Sequence, residues 1–301
     1  MRRALLCALA CTLAACGDDG EETDTDTITG DDTTTTATGS TSGGDLECPC
    51  AVIDVHIDDG IFTLADDGVL WKFIPESATF QEIGALGCEG VKEPFSMAVD
   101  REGSAWILFN APVGALRRID VADPSICEDI GYQPGQLGVL RYGMAFVSED
   151  IENPCEELYG NTYDGGALSE FPGAGDLLRV SEKLVVDLIG PTTFNGAELT
   201  GTGDGRLFLF GGVKTGTLVE VDKVTAAYLE TIPLKSLAPT NAFAFAFFAG
   251  DFYFFTESKG PGSPSKVTRF DYDGDHSLEV VVDSAPIRVI GAGVSTCVPF
   301  Y

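Results

Sequence analysis

The sequence predicts an all-β protein, a β-propeller of five blades, each of four antiparallel strands, closed by pairing of its N- and C-terminal segments. Two observations predict it. A hairpin of short strands with alternating polar residues recurs five times, and its anchors Phe73, Ile119, Val180, Val221 and Phe270 lie 46, 61, 41 and 49 residues apart. Ahead of these hairpins stand further strand pairs, the first strand of each small and nearly all apolar, joined by turns of acid and glycine. Composition agrees, since 44% apolar residues can bury a real core.

The first elements precede the ring. Arg2 and Arg3 lead a twelve-residue apolar run, Ala4 to Ala15, too short for a permanent span and typical of a signal segment. Leu13-Ala14-Ala15-Cys16 resembles the lipobox of bacterial lipoproteins, which implies a signal peptide over residues 1–15 and lipidation (palmitate) of Cys16. Gly17, not Asp, follows that cysteine, which by the enteric sorting pattern favours the outer membrane, with the folded part periplasmic or surface-exposed. Residues 16–47 then read as a tether. They hold ten acids, ten threonines and no Lys or Arg, with only Ile28 and Leu46 large and apolar, so folding could not offset its entropy cost.

Residues 48–301 are the expected propeller domain. The repeated hairpins run from Leu70–Phe73 with Thr79–Ile83, through Leu116–Asp120 with Ile126–Ile130, Leu177–Ser181 with Leu184–Leu188, and Leu218–Asp222 with Ala227–Thr231, to Val267–Asp271 with Leu278–Val282. The inner pairs are clearest as Phe95–Asp100 with Ala105–Phe109, Ala197–Thr200 with Leu207–Phe210, and Phe243–Phe248 with Phe252–Phe255. The long interval before Val180 holds a polar stretch, Asp150 to Glu157, and a glycine-rich stretch, Gly160 to Gly175, both expected as loops. Ile287 to Val298 reads as an inner strand with no outer strands after it, and Ile61–Leu64 as outer strands without a clear inner one. One shared blade resolves both and gives five; a separate blade at Val52–Ile57 would give six.

This repeat resembles degenerate propellers of the NHL or lactonase-like kind. With the Thr/Asp tether and the closing Gly291-Ala292-Gly293-Val294-Ser295-Thr296-Cys297, the chain resembles lipoproteins of myxobacterial type, a resemblance that implies a lipid-anchored propeller and brings no activity with it.

Charge excludes several functions. With 47 acidic and 18 basic side chains the net charge is −29, and the body from Cys48 onward alone carries −21. Nucleic acid and anionic lipid surfaces, which bind through Lys and Arg, are therefore excluded as general partners. Two histidines argue against a multi-His metal centre. Asp271, Asp273 and Asp275 alternate as calcium ligands do, but coincide with a hairpin turn where Asp and Gly are expected anyway, so no cofactor is expected. Cys48, Cys50, Cys88, Cys127, Cys155 and Cys297 form an even set suited to disulfides, with fifteen possible pairings. Cys297 is expected to pair with Cys48 or Cys50, and Cys50 is the better partner because it adjoins the apolar run Ala51–Val55.

Propellers bind ligands near the starts of their inner strands. In this register Ser96, Tyr142, Glu198 and Asn241 meet at that mouth, with Glu198 the single acid. One acid suits a non-catalytic, monomeric module binding a protein or carbohydrate. The alternative is a metal-dependent hydrolase of lactonase or glycosidase type, which two or more convergent carboxylates would favour.

Overall fold

The computed structural model describes residues 48–51 and 56–300; the proposed signal segment, Cys16 and the tether lie outside them. Five four-stranded antiparallel sheets form the ring. The closing blade joins β1 (Ile61–Ala65), β2 (Val69–Ile74) and β3 (Thr79–Ala85) to the last strand, β20 (Val289–Gly293). The second holds β4 (Lys92–Val99), β5 (Ser104–Ala111), β6 (Val113–Asp120) and β7 (Cys127–Glu128). The third holds β8 (Arg141–Ser148), β9 (Glu156–Tyr163), β10 (Ser169–Val180) and β11 (Val186–Asn195). The fourth runs β12 (Glu198–Gly201), β13 (Leu207–Gly211), β14 (Gly216–Val221), β15 (Tyr228–Leu234), and the fifth β16 (Phe243–Phe248), β17 (Asp251–Glu257), β18 (Ser265–Phe270), β19 (Leu278–Val282). The strand left over at the C-terminus is thus the inner strand of the first blade, where Thr63 faces Ala292.

Alternation within a strand sends successive side chains to different neighbours. Ile61 packs with Tyr253 and Phe255 of the fifth blade, while Phe62 packs with Met97 and Ile107 of the second. The same division recurs at every junction, so the ring holds five interblade cores in place of one centre. Where inner strands meet at the axis, only small residues fit. A Cβ on Gly201 would lie 2.2 Å from the Phe146 carbonyl, and the axial gap holds about 10 Å³, no more than one water.

Two stretches differ from expectation. Gly160 and Gly175, taken for loop residues, lie inside β9 and β10. Their lack of a side chain answers crowding instead of turning: a Cβ on Gly160 would meet the Tyr142 ring at 2.7 Å, and one on Gly175 the Phe194 carbonyl at 2.2 Å. Glu156 and Glu157, assigned to the polar loop, open β9. Conversely, the outer strand expected over Ile126–Ile130 shrinks to Cys127–Glu128, where Cys127 is bridged to Cys88.

The end opposite the inner-strand starts is tied together by residues 48–51 and the segment after β20. Cys50 is bonded to Cys297 and Cys48 to Cys155, just ahead of β9. Ala51 donates its N–H to the Arg101 carbonyl. The Glu156 carboxylate accepts from Arg101 N at 2.6 Å and Thr296 Oγ1 at 2.7 Å, so one half-buried acid joins the second blade, the third and the closing segment. Replacing Cys50 and Cys297 together by Ser is expected to lower unfolding free energy by about 2–5 kcal/mol in a urea titration. Removing Cys88–Cys127, which spans 39 residues against 247, should cost less. An unchanged midpoint in the first variant would show that the bridge does not stabilise the seam.

Candidate functional site

The starts of all five inner strands lie at the other end, and there the ring opens into a cavity of about 660 Å³. That size is ordinary for a small-molecule site. Its wall includes Phe95 and Glu93 from β4, Glu198 from β12, Asn241 ahead of β16, and Arg288 ahead of β20. Second strands add Asn110 at the end of β5 and Tyr163 at the end of β9.

Two aromatic rings form one side. Phe95 and Tyr163 stack in parallel with centroids 5.7 Å apart, and the Tyr163 hydroxyl is held by the Gly166 carbonyl. Asn110 accepts Arg141 Nε on Oδ1 at 2.6 Å, which leaves its amide N–H₂ for the cavity. Opposite, the buried Glu257 carboxylate braces the rim: it accepts from Asn241 N at 3.1 Å, Gly262 N at 2.6 Å and Arg288 Nε at 2.9 Å. Arg288 also reaches Asp66 at 3.2 Å, so the one cation named in the wall is matched by two carboxylates.

Glu198 lies deepest. It is 8% exposed, and its Oε2 accepts from the Ser96 hydroxyl at 2.9 Å. Ser96 in turn accepts from Met144 N. Gly143 makes the room, since a Cβ there would lie 3.0 Å from the Glu198 carboxyl carbon and 2.3 Å from the Ala197 carbonyl. Burial pushes the carboxyl up to about 8, with the Ser96 bond only partly offsetting it. The acid is therefore mostly protonated at neutral pH.

Of the four residues expected at the mouth, Glu198 and Asn241 line the cavity, Ser96 sits behind Glu198, and Tyr142 does not belong. Tyr142 is fully buried in the core between the second and third blades, against Gly160 and close to Tyr132. Its ring fills the space that Gly160 leaves empty, which is why the side chain turns into the core. The expectation of a single acid also needs correction. Glu93 and Asp66 share the wall, because β4 begins at Lys92, three residues before the apolar pattern, and its register shifts between Pro94 and Ser96. Tyr163 could have been found from pairing alone, since it faces Arg141 at the start of β8.

Asp271, Asp273 and Asp275 sit at the β18–β19 turn, where Asp275 Oδ1 accepts from Ser277 N and Asp271 Oδ2 from Asp275 N. Among the described residues no group of three or more His, Cys, Asp or Glu side chains is placed to hold a metal ion.

No protein-family model and no curated protein matches the chain. Among solved structures it is similar to a provisionally assigned gluconolactonase (13% identity, TM-score 0.45, covering 80% of this chain and 79% of that one). It is also similar to a gluconolactonase from Xanthomonas campestris (11% identity, TM-score 0.44, 81% and 88%). A third is the PQQ-bound aldose sugar dehydrogenase from Streptomyces coelicolor (10% identity, TM-score 0.41, 78% and 83%). At such identity and overlap the likeness gives no residue of this chain a role.

Two acids with raised pKa, the half-buried Glu156 and the buried Glu198, make stability fall as pH rises. Glu156 is pushed by burial up to about 7, and Glu198 to about 8. In each, the folded state holds its proton more tightly than the unfolded chain, so the contribution is complete below the ordinary carboxylate range. It declines from there and is lost as pH passes through about 7 and about 8. Each group should give a slope near 1.4 kcal/mol per pH unit inside its window. Urea titrations between pH 5 and 9 measure this, and Glu198→Gln should flatten the upper part; an identical profile in that variant would contradict the assignment.

Proposed function

We propose that this chain is a lipid-anchored, extracytoplasmic propeller that binds a carbohydrate at its mouth without transforming it. The observation that carries the reading is one cavity combining a stacked aromatic wall, Phe95 with Tyr163, and side-chain amides from Asn110 and Asn241. The faces of a sugar ring carry C–H groups that pack on aromatic rings, and its hydroxyls both donate and accept, as amides do. The anchor rests on Leu13-Ala14-Ala15-Cys16 and the acidic, Thr-rich segment after it.

A second reading, hydrolysis of glycosidase type, is favoured by Glu198, whose raised pKa suits a general acid. That chemistry needs a second carboxylate across the scissile bond. Asp66 is engaged by Arg288, and Glu93 is exposed at the rim, so binding remains the better supported reading.

Incubation of the full chain with a glycan array, followed by mass spectrometry of the captured glycans, separates the two. Binding with intact glycans is expected, and Phe95→Ala should weaken it about tenfold or more, in keeping with the loss of an aromatic contact of roughly 1.5 kcal/mol. Cleaved products that disappear in Glu198→Gln would establish the hydrolase instead. Separately, Cys16→Ala should move the protein from the membrane fraction to the soluble one with its fold intact; equal membrane retention would remove the anchor.

A further inference from the structure

Glu198 is an acid without a cation. Among the described residues its side-chain partner is Ser96 on β4; burial raises its pKa and that hydrogen bond lowers it. β8 contributes Gly143 and the Met144 N–H beside it. Arg288 across the cavity is held by Glu257 and Asp66, and Arg141 is held by Asn110. Because Oε2 already accepts from Ser96, a proton on the neutral group belongs on Oε1, which makes no hydrogen bond among the described residues. That oxygen is not among the buried atoms lacking a partner, so it meets the open cavity that Glu198 lines.

We propose that Glu198 recognises the ligand as a neutral carboxylic acid, donating through Oε1 to a hydroxyl or ring oxygen, so that the mouth takes uncharged sugar rings and rejects their carboxylate analogues. The inference rests on the carbohydrate reading above and adds the charge class and the residue that sets it. Three observations support the rejection of anions. The wall carries Glu93 and Asp66 beside Glu198, its Arg288 is already neutralised, and the body has a net charge of −21. A hydroxyl or ether oxygen accepts from the donor that a neutral carboxyl supplies without bringing a charge against Glu93 and Asp66, so the acid residues of the wall, not the donor itself, discriminate against carboxylates.

The proton gives the binding a sign in pH. If only the protonated form donates, affinity is flat below the midpoint near 8 and falls about tenfold per pH unit above it. A ligand bearing an ammonium would do the reverse: it would pair with the ionised acid, tighten as pH rises and release a proton on binding.

The test is a glycan array carrying neutral, uronate and amino sugars, probed with the full chain and with Glu198→Gln at pH 6 and pH 9, folding being verified by circular dichroism at both. Capture of neutral glycans at pH 6, weakened about tenfold at pH 9, is expected for the wild type. Glu198→Gln keeps a donor of the same shape without the titration, so it should retain neutral-glycan affinity within about threefold and lose the pH dependence. Equal capture of uronates, preference for amino sugars that grows with pH, or loss of all capture in a folded Glu198→Gln would overturn the inference while leaving a carbohydrate ligand in place. No capture of any glycan would overturn the carbohydrate reading itself, and the inference with it. An infrared difference titration of wild type against Glu198→Gln tests the acid without a ligand: a carboxyl band lost with a midpoint near 8 supports the proposal, and one lost in the ordinary carboxylate range overturns it.

Discussion

Each blade is covered on both faces by its neighbours, and everything else in the molecule depends on that coverage. A sheet such as β12–β15 sends Leu209 and Val219 into one junction and Phe208, Phe210 and Leu218 into the next. Removing either neighbour would expose a full apolar face, with roughly 25 cal/mol lost for each Å² returned to water. The arrangement is therefore cooperative around the ring, and its most vulnerable junction is the one made by residues far apart in sequence. β20 on β1 is that junction, and it is reinforced by the Cys50–Cys297 bridge and the half-buried Glu156. Ion pairs do less. Arg118–Glu128 and Arg179–Asp187 lie on exposed outer strands, where such pairs contribute about 0–1 kcal/mol.

Closure also decides what kind of site the protein has. Five inner strands run in the same sense, so their starts collect at one end and their finishes at the other. The finishes lie beside the Cys48–Cys155 and Cys50–Cys297 disulfides, and the axis between is filled by residues such as Ala98, Gly201 and Gly293. What remains is a blind cavity, open at one end only. An acid placed at the bottom of it loses water from most sides, which is the physical origin of the raised pKa of Glu198. The property that makes Glu198 interesting is thus a consequence of ring packing and of the missing side chain at Gly143.

The same crowding explains an apparent conflict between composition and chemistry. Among the described residues, acids such as Asp120, Asp123, Asp150 and Asp222 sit at turns, where they accept backbone N–H groups two or three residues on. These carboxylates shape hairpins and face water. Among the described residues the buried acids each have a defined partner set: Asp100 with Trp106 and the Ser104 N–H, Glu257 with Arg288, and Glu198 with Ser96, while the half-buried Glu156 is held by Thr296 and the Arg101 N–H.

The sequence by itself favoured five blades over six and determined the order of strands and the way the ring closes; the structure fixed the count at five. Nearly all-apolar runs mark strands that are buried on both faces, period-two patterning marks the half-buried outer ones, acid-plus-glycine turns mark where they reverse, and an unpaired strand at Ile287–Val298 completes the blade that lacks an inner strand. Cys50 and Cys297 were legible as partners for the same topological reason. Only the tertiary structure decided which side chains meet. Alternation assigns a residue to a face without saying what stands opposite, so Tyr142 and Glu198, both near the starts of inner strands, were equivalent in the sequence. Contact across blades separates them: Gly160 admits the Tyr142 ring to the core, whereas Gly143 and Ser96 hold the Glu198 carboxyl at the cavity. Gly160 and Gly175 misled for a related reason, because a glycine looks the same in a sequence whether it serves a turn or a close approach. Contacts of that kind join residues tens of positions apart, and no local period records them.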